Sequence, residues 1–256
     1  MLRKYNSSRS LEDNIRLGAL TAMVAGLVNV ASFLLFFSFS SNVTGYYAIL
    51  ITELVSGNIY QFAVVAIWVF AFFAGSFLSN FIVIFYNKKN RYVAHAIPIM
   101  LEIASLLFVG IYGSYFYSNT LLETEFLILL MLFAMGLQNG LTASISNFAV
   151  KTTHLTGATT DLAIVFSMLT HSQYRQKAEI RARGKLLIAI FSFYLLGGLT
   201  GSLAYKYIGF RMFYIACFIL LITLTYDLYK IYKVQFAKER KKKEAYPLGG
   251  LTQCPE

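Results

Sequence analysis

The chain has 256 residues and a formal net charge of +10, but 57% of its residues are hydrophobic and only 13% are charged. A soluble domain has about 25% charged residues, so this composition excludes an ordinary soluble protein and indicates a bilayer as the solvent. The basic residues stand in short blocks between apolar runs rather than on one soluble face. This pattern excludes nucleic acid as a partner and is typical of membrane proteins.

The apolar runs predict an all-α fold, a polytopic bundle of transmembrane helices. A polar segment over 1–16 comes first, and a basic tail over 237–256 comes last. A helix needs about 20 apolar residues to span a bilayer. Six runs are long enough: 17–39, 59–86, 93–117, 124–150, 185–206 and 210–233.

Two further apolar stretches, 44–56 and 156–170, are shorter, and each begins with a Thr-Gly pair. A helix of this length covers only about two-thirds of the hydrocarbon. We therefore predict six long spans and two short helices that are broken or re-entrant.

Charge orients the predicted spans. The positive-inside bias places 1–16, the basic pair Lys88-Lys89, the loop 171–185 and the tail in the cytoplasm. The connection near 118–125 is acidic and can lie outside. Six spans satisfy all these placements. Eight full spans put Lys88, Lys89 and Arg91 outside, and this alternative stays open because broken helices can cross in pieces.

The sequence matches itself at three ordered places, which predicts two internal repeats over 17–117 and 118–236. The matches are Gly26-Leu27-Val28-Asn29 with Gly136-Leu137-Gln138-Asn139, Val43-Thr44-Gly45 with Leu155-Thr156-Gly157, and Ala74-Gly75-Ser76 with Thr200-Gly201-Ser202. With six spans, each half has three spans and the halves are inverted, which is a common plan for secondary transporters. With eight spans the halves are parallel.

At these places the sequence resembles the YoaK-like family of uncharacterised bacterial integral membrane proteins, over about residues 17–230. The residues that carry the resemblance are Gly26 with Asn29, Ser41-Asn42-Val43-Thr44-Gly45, Gly136-Leu137-Gln138-Asn139 and Leu155-Thr156-Gly157. The resemblance implies a bacterial cytoplasmic (inner) membrane location and no particular activity. Together with the charge pattern, it predicts a multi-pass protein with both termini in the cytoplasm.

Asn29 and Asn139 lie inside predicted spans at equivalent positions of the two repeats, and Gln138 directly precedes Asn139. An amide without a partner in hydrocarbon costs several kcal/mol, so each is expected to bind something. One interpretation is hydrogen bonding between helices, and the other is a solute site between the halves near mid-membrane. Both remain open from the sequence.

The pairs Thr44-Gly45 and Thr156-Gly157 begin the two short segments. Glycine permits non-helical backbone, and threonine can cap the helix that follows. Inside a protein, the positive end of such a helix can hold an anion or a substrate carboxylate. The alternative is an ordinary turn and cap at the membrane surface.

Three carboxylates interrupt the apolar stretches, at Glu53, Glu102 and Asp161. Carboxylates within membranes are costly and often functional, and burial lets such a group take up and release a proton. Glu102 is the deepest of them by sequence. We expect these residues to couple a proton or cation to transport. The alternative is a neutral or hydrogen-bonded acid at a helix end.

The leading hypothesis is a small secondary transporter or permease for an unknown small solute. The second is a non-transporting scaffold or sensor that acts through its basic loops and tail. We expect no enzyme activity, because the chain lacks the zinc-protease, serine-hydrolase, Walker A and Cys-x-x-Cys motifs. No cofactor or metal is expected. The expected partners are the lipid bilayer and the solute, and the oligomeric state is left open.

Overall fold

The computed structural model describes residues 11–87 and 90–226, and within them the chain forms helices and no strands. The predicted all-α fold is therefore confirmed. The helices are α1 Leu11–Phe36, α2 Val43–Val55, α3 Ile59–Tyr86, α4 Arg91–Tyr115, α5 Leu121–Ile145, α6 Leu155–Thr170, α7 Ser172–Arg175, α8 Ala178–Ile208 and α9, residues 213–226. Lys88, Lys89, most of the 1–16 segment and the 237–256 tail lie outside the described residues.

Five helical segments within this part of the chain are long and apolar enough to cross a bilayer, and α2 and α6 are shorter apolar helices, as predicted. The last long segment, Ala178–Tyr226, contains α8 and α9. A 3₁₀ turn over Gly209–Met212 divides it, where Gly209 has a φ of 54° that favours glycine. The chain reverses here, because Cys217 lies against Ile103 and the Tyr92 hydroxyl donates to the Leu224 carbonyl oxygen at 3.1 Å.

Two predicted runs, 17–39 and 124–150, extend past the helices observed. α1 ends at Phe36 and α5 ends at Ile145. Phe37, Asn147 and Phe148 have φ values between 52° and 60°, and such a left-handed backbone stops a helix. Apolar composition continues through these breaks, so hydrophobicity alone did not reveal them.

The bundle has a lower end, where α1, α4 and α8 begin, and an upper end, where α3 and α5 begin. Helices α1 and α8 run parallel, since Gly18 lies beside Ile190 and the Phe36 ring lies 5.9 Å from the ring of Phe210. Helices α3 and α5 run parallel in the opposite direction. The Tyr60 hydroxyl donates to Glu125 at 2.7 Å near their upper ends.

The centre of the bundle is a packed crossing of α1 and α5. The apolar side chains there have no exposed surface: Val24, Ala25, Val28, Met131, Ala134 and Met135. The Gln138 amide crosses between the helices and donates to the Thr21 carbonyl oxygen at 3.0 Å. Closely packed apolar side chains therefore fill the middle of the protein, where the sequence predicts a solute site.

Glycine contacts join each of these central helices to a helix of the other half. A Cβ at Gly26 would collide with the Tyr194 carbonyl of α8, and one at Gly197 would collide with the Met23 carbonyl of α1. Small residues at such positions let two backbones approach closely in a membrane.

Helices α5 and α3 repeat this arrangement. A Cβ at Gly136 would collide with the Phe72 carbonyl, and one at Gly75 with the Phe133 carbonyl. Gly75 therefore takes the place that Gly197 takes in the other pair. The third sequence match, which aligned Gly75 with Gly201, is wrong by one helical turn, since Gly201 instead lies against Leu27.

Candidate functional site

After α1 the chain folds back into the bundle before α2 begins. The Ser41 hydroxyl donates to the Asn29 side-chain oxygen at 3.0 Å, and the Asn29 amide nitrogen donates to the Tyr194 hydroxyl at 2.9 Å. Asn29 lies seven residues before Phe36, the last residue of α1. At about 1.5 Å per residue, this bond holds the start of α2 about 10 Å inside the upper end.

The chain makes the same return after α5. The Asn139 amide nitrogen bonds to the Thr153 hydroxyl at 2.5 Å, and the Gln138 amide nitrogen bonds to the Thr152 hydroxyl at 3.0 Å. Asn139 lies six residues before Ile145, the last residue of α5. Helix α6 therefore begins about 9 Å inside the lower end.

The predicted amides thus anchor the loops that lead into α2 and α6, and they do not face one shared site. Asn29 lies eight residues along α1 from Thr21, which contacts Gln138, so Asn29 and Asn139 differ in depth by about 12 Å. The side-chain oxygens of Gln138 and Asn139 are buried and bind no other described group.

The sequence reasoning missed the hydroxyl partners of these amides. Ser41 and Thr153 each stand three residues before the threonine of a Thr-Gly pair, and each has a further hydroxyl residue just before it. Extending the repeat by these positions would have found them.

The threonines of the Thr-Gly pairs do not cap the short helices, contrary to expectation. Asn42 is the N-cap of α2, and its side-chain oxygen accepts from the Gly45 N–H at 3.2 Å. The corresponding residue of α6 is His154, whose side chain makes no capping bond. Thr44 and Thr156 lie one residue inside their helices, where their hydroxyls cannot reach the positions that a cap occupies.

A cavity of about 670 Å³ lies beside the first turns of α6 and opens at the lower end. It is bounded by α1, the loop after α5, α6 and α8. Its polar and charged lining residues are Asn14, Asn147, Lys151, His154, Asp161 and Arg183. Gly157 faces it, and a Cβ there would meet no atom within 4 Å.

The cavity brings Asp161 together with basic groups that the sequence reasoning did not assign to the site. Arg183 of α8 donates to the Asp161 carboxylate at 2.9 Å, and both side chains are partly exposed. Lys151 is exposed and has no carboxylate partner among the described residues. The lining can therefore bind a polar or charged solute, at a helix start that no side chain caps.

The other two predicted carboxylates lie elsewhere. Glu102 is 1% exposed inside α4, and its Oε1 atom has no hydrogen-bond partner among the described residues. Glu53 lies in the last turn of α2, close to the upper end. The three carboxylates therefore do not form one coupling site.

A second, smaller cavity of about 360 Å³ lies between the lower ends of α3 and α5. Its polar lining comes from Asn80, Ser144 and Asn147, and the Ser144 hydroxyl lies 2.7 Å from the Asn80 side-chain oxygen. Asn147 and Phe148 line both cavities, so the left-handed break after α5 separates them.

Long apolar helices, a packed centre and two short apolar helices that begin inside the bundle define a polytopic α-helical membrane protein. The family model described as "Protein of unknown function (DUF1275)" matches residues 17–226, and the chain belongs to this family. No curated protein matches the chain, and no solved structure matches it either. The resemblance to an uncharacterised membrane family, drawn from the sequence, agrees with this membership.

Proposed function

We propose that the protein is a small secondary transporter, in which a polar solute binds the cavity beside α6. The observation that carries this proposal is a cavity with polar and charged lining residues beside α6, a short helix whose start is hydrogen-bonded to α5 inside the bundle. Re-entrant backbone at membrane depth persists only where protein shelters it or where it lines a water-filled cavity.

The packing supports two inverted halves of three spans each. Helix α1 pairs with α8 of the second half through Gly26 and Gly197, and α5 pairs with α3 of the first half through Gly136 and Gly75. Since α1 and α5 run in opposite directions, the halves are related by inversion. Counting α8 and α9 separately gives six spans, and α2 and α6 return to the end from which they entered. This is the plan of many secondary transporters.

Charge supports a cytoplasmic lower end, and hence a cavity that faces the cytoplasm. The described basic residues near this end are Arg16, Lys151, Arg175, Lys177, Arg181, Arg183 and Lys185. Near the upper end, Glu53, Glu123 and Glu125 accompany Lys206 and Arg211. The positive-inside bias supports the proposal that both termini face the cytoplasm. The family resemblance supports a bacterial inner-membrane location.

Glu102 is the best-placed group for proton coupling. It is buried within a spanning helix, and one carboxylate oxygen has no partner among the described residues. An ionisable residue inside a membrane span is costly, and it is by default a candidate for proton exchange. Asp161 contributes differently, because it lies in the cavity and is paired with Arg183.

Flux through proteoliposomes tests the proposal. Vesicles containing the protein are given a mixed metabolite extract, and the contents of their lumen are measured by mass spectrometry. We expect at least one solute to accumulate above protein-free vesicles, and the Gly157→Trp variant to lose this flux by filling the cavity.

Gly157→Ala is the matched control, because a methyl group there meets no neighbour. The proposal fails if the parent protein moves no solute with or without a pH gradient, or if Gly157→Trp moves it as fast as Gly157→Ala does.

The packed crossing of α1 and α5 favours a second candidate function, a scaffold or sensor that does not transport. A transporter that rocks about this crossing must keep Val28, Ala134 and their neighbours in contact while its ends move. A scaffold needs no such motion and would act through the basic lower end. Absence of flux from a folded, correctly oriented protein would favour this alternative.

A further inference from the structure

The two re-entrant units correspond residue by residue, because the same contacts recur in each. The hydroxyl that bonds the spanning amide belongs to Ser41 in one unit and to Thr153 in the other. Both hydroxyls precede the glycine of a short helix by four residues, at Gly45 and Gly157. Matching these residues aligns the sequence of α2 with that of α6.

The glycine crossings extend this correspondence to the helices that follow. Gly75 of α3 takes the place of Gly197 of α8, so Val65 corresponds to Leu187 and Trp68 corresponds to Ile190. Every lining residue of the lower cavity on α6 and α8 therefore has a counterpart near the upper end.

The upper counterpart of the cavity is filled by two aromatic rings. Tyr46 stands where α6 has Ala158, and Trp68 stands where α8 has Ile190. The two rings meet edge to face with centroids 5.4 Å apart, and their side chains are 5% and 7% exposed. Both Ala158 and Ile190 line the open lower cavity.

One hydrogen bond holds each ring in place, and a third caps the helix that carries Tyr46. The Tyr46 hydroxyl donates to the Phe39 carbonyl oxygen at 2.5 Å, and the Trp68 indole donates to the Glu125 carbonyl oxygen at 3.0 Å. The Asn42 side chain covers the Gly45 N–H, which corresponds to an uncapped position in α6. The Tyr46 and Asn42 bonds lie within the segment that carries α2, and the Trp68 bond joins α3 to α5. None of the three crosses from α2 to α3, so the ring contact can open without breaking them.

We propose that Tyr46 and Trp68 form an outer gate, which closes a second cavity that opens to the upper end when α2 separates from α3. This inference rests on the proposed transport function, since it assigns the route by which solute leaves. The ion pair of the lower cavity has no counterpart, because Ile49 and Gln61 replace Asp161 and Arg183. The upper cavity therefore lacks this ion pair. The carboxylate beside the rings is that of Glu125, which accepts from the Tyr60 hydroxyl at 2.7 Å, and the solute-binding ion pair belongs to the lower cavity.

Cysteine labelling tests the gate without any knowledge of the solute. Val65 is completely buried and belongs to the same packed cluster as the two rings. It is replaced by cysteine in a background with Cys217→Ala and Cys254→Ala. Intact cells are treated with a membrane-impermeant maleimide, which reaches the upper side. Val65→Cys should react at least tenfold faster when Tyr46→Ala and Trp68→Ile are added, because these changes give α2 and α3 the residues of the open cavity.

The converse exchange supplies the matched control. In inverted vesicles, Leu187→Cys should be labelled readily, and adding Ala158→Tyr with Ile190→Trp should slow its labelling to a similar extent. Labelling of Leu187→Cys in the Tyr46→Ala/Trp68→Ile background verifies that this protein is folded.

The gate is overturned if Val65→Cys reacts equally fast with and without the two ring substitutions in folded protein. If labelling follows the prediction but no solute moves in vesicles, the gate stands and the transport function fails. If solute moves but labelling does not change, the transport function stands and the gate is wrong.

Discussion

The crossing of α1 and α8 should not tolerate a single added methyl group at Gly26. The Cβ of Gly26→Ala would lie inside the contact distance of the Tyr194 carbonyl oxygen and carbon, and close to the backbone nitrogen of Gly198. These are backbone atoms, so no side-chain rotation relieves the collision and the helices must separate. Overpacking of this kind costs about 1–3 kcal/mol, with a rigid neighbour near the upper value.

The substitution also stabilises helix α1 itself, and this gain reduces the net loss in the free energy of unfolding. Alanine is favoured over glycine by about 1 kcal/mol in a helix interior. A cost of about 3 kcal/mol less this gain leaves a net loss of about 2 kcal/mol, a factor of about 30 in the ratio of folded to unfolded protein. Unfolding by sodium dodecyl sulfate in mixed micelles, followed by circular dichroism or tryptophan fluorescence, measures this loss.

Two controls separate the collision from a general effect of the substitution. Gly136→Ala should cost as much, because its Cβ would collide with the Phe72 carbonyl of α3 in the same way. Gly157→Ala should cost nothing, because that position faces open space. The reasoning is refuted if Gly26→Ala is as stable as the parent protein, or if Gly157→Ala is destabilised equally.

Four further substitutions probe the polar groups. Asn29→Leu and Asn139→Leu should each lower the free energy of unfolding by about 1–2 kcal/mol, because each releases a re-entrant loop; equal stability to the parent would contradict this. Asp161→Asn should change stability by less than about 1 kcal/mol, since its pair with Arg183 is exposed, yet should reduce solute flux; unchanged flux would remove Asp161 from the site. Glu102→Gln should fold normally and make flux insensitive to a pH gradient; a gradient response equal to that of the parent would exclude Glu102 as the coupling group.

The sequence predicted the helices well, because the membrane imposes a length and a composition on each one. The short helices were placed to within about a residue from the spacing of two Thr-Gly pairs. The bonds made by Asn29 were not predicted, since Tyr194 lies 165 residues away along the chain. Only the fold brings such a partner into reach.

The register of the third repeat match failed for a physical reason. Helix α8 has small residues at Gly197, Gly198 and Gly201, on faces that recur each turn, so several alignments with Gly75 look equally good in sequence. In the structure, the backbone carbonyl that each glycine contacts identifies the correct alignment. The cavity beside α6 was only half predicted, because Lys151 and Arg183 look like ordinary basic loop residues until the fold places them beside Asp161.

Blocking the lower cavity during transport tests the central claim most directly. Leu187→Cys, in the background with Cys217→Ala and Cys254→Ala, places a thiol in the cavity wall. A bulky membrane-impermeant thiol reagent applied from the lower side should then reduce solute flux at least fivefold, and the same reagent applied from the upper side should leave flux unchanged. Undiminished flux after complete modification would show that no solute passes through this cavity.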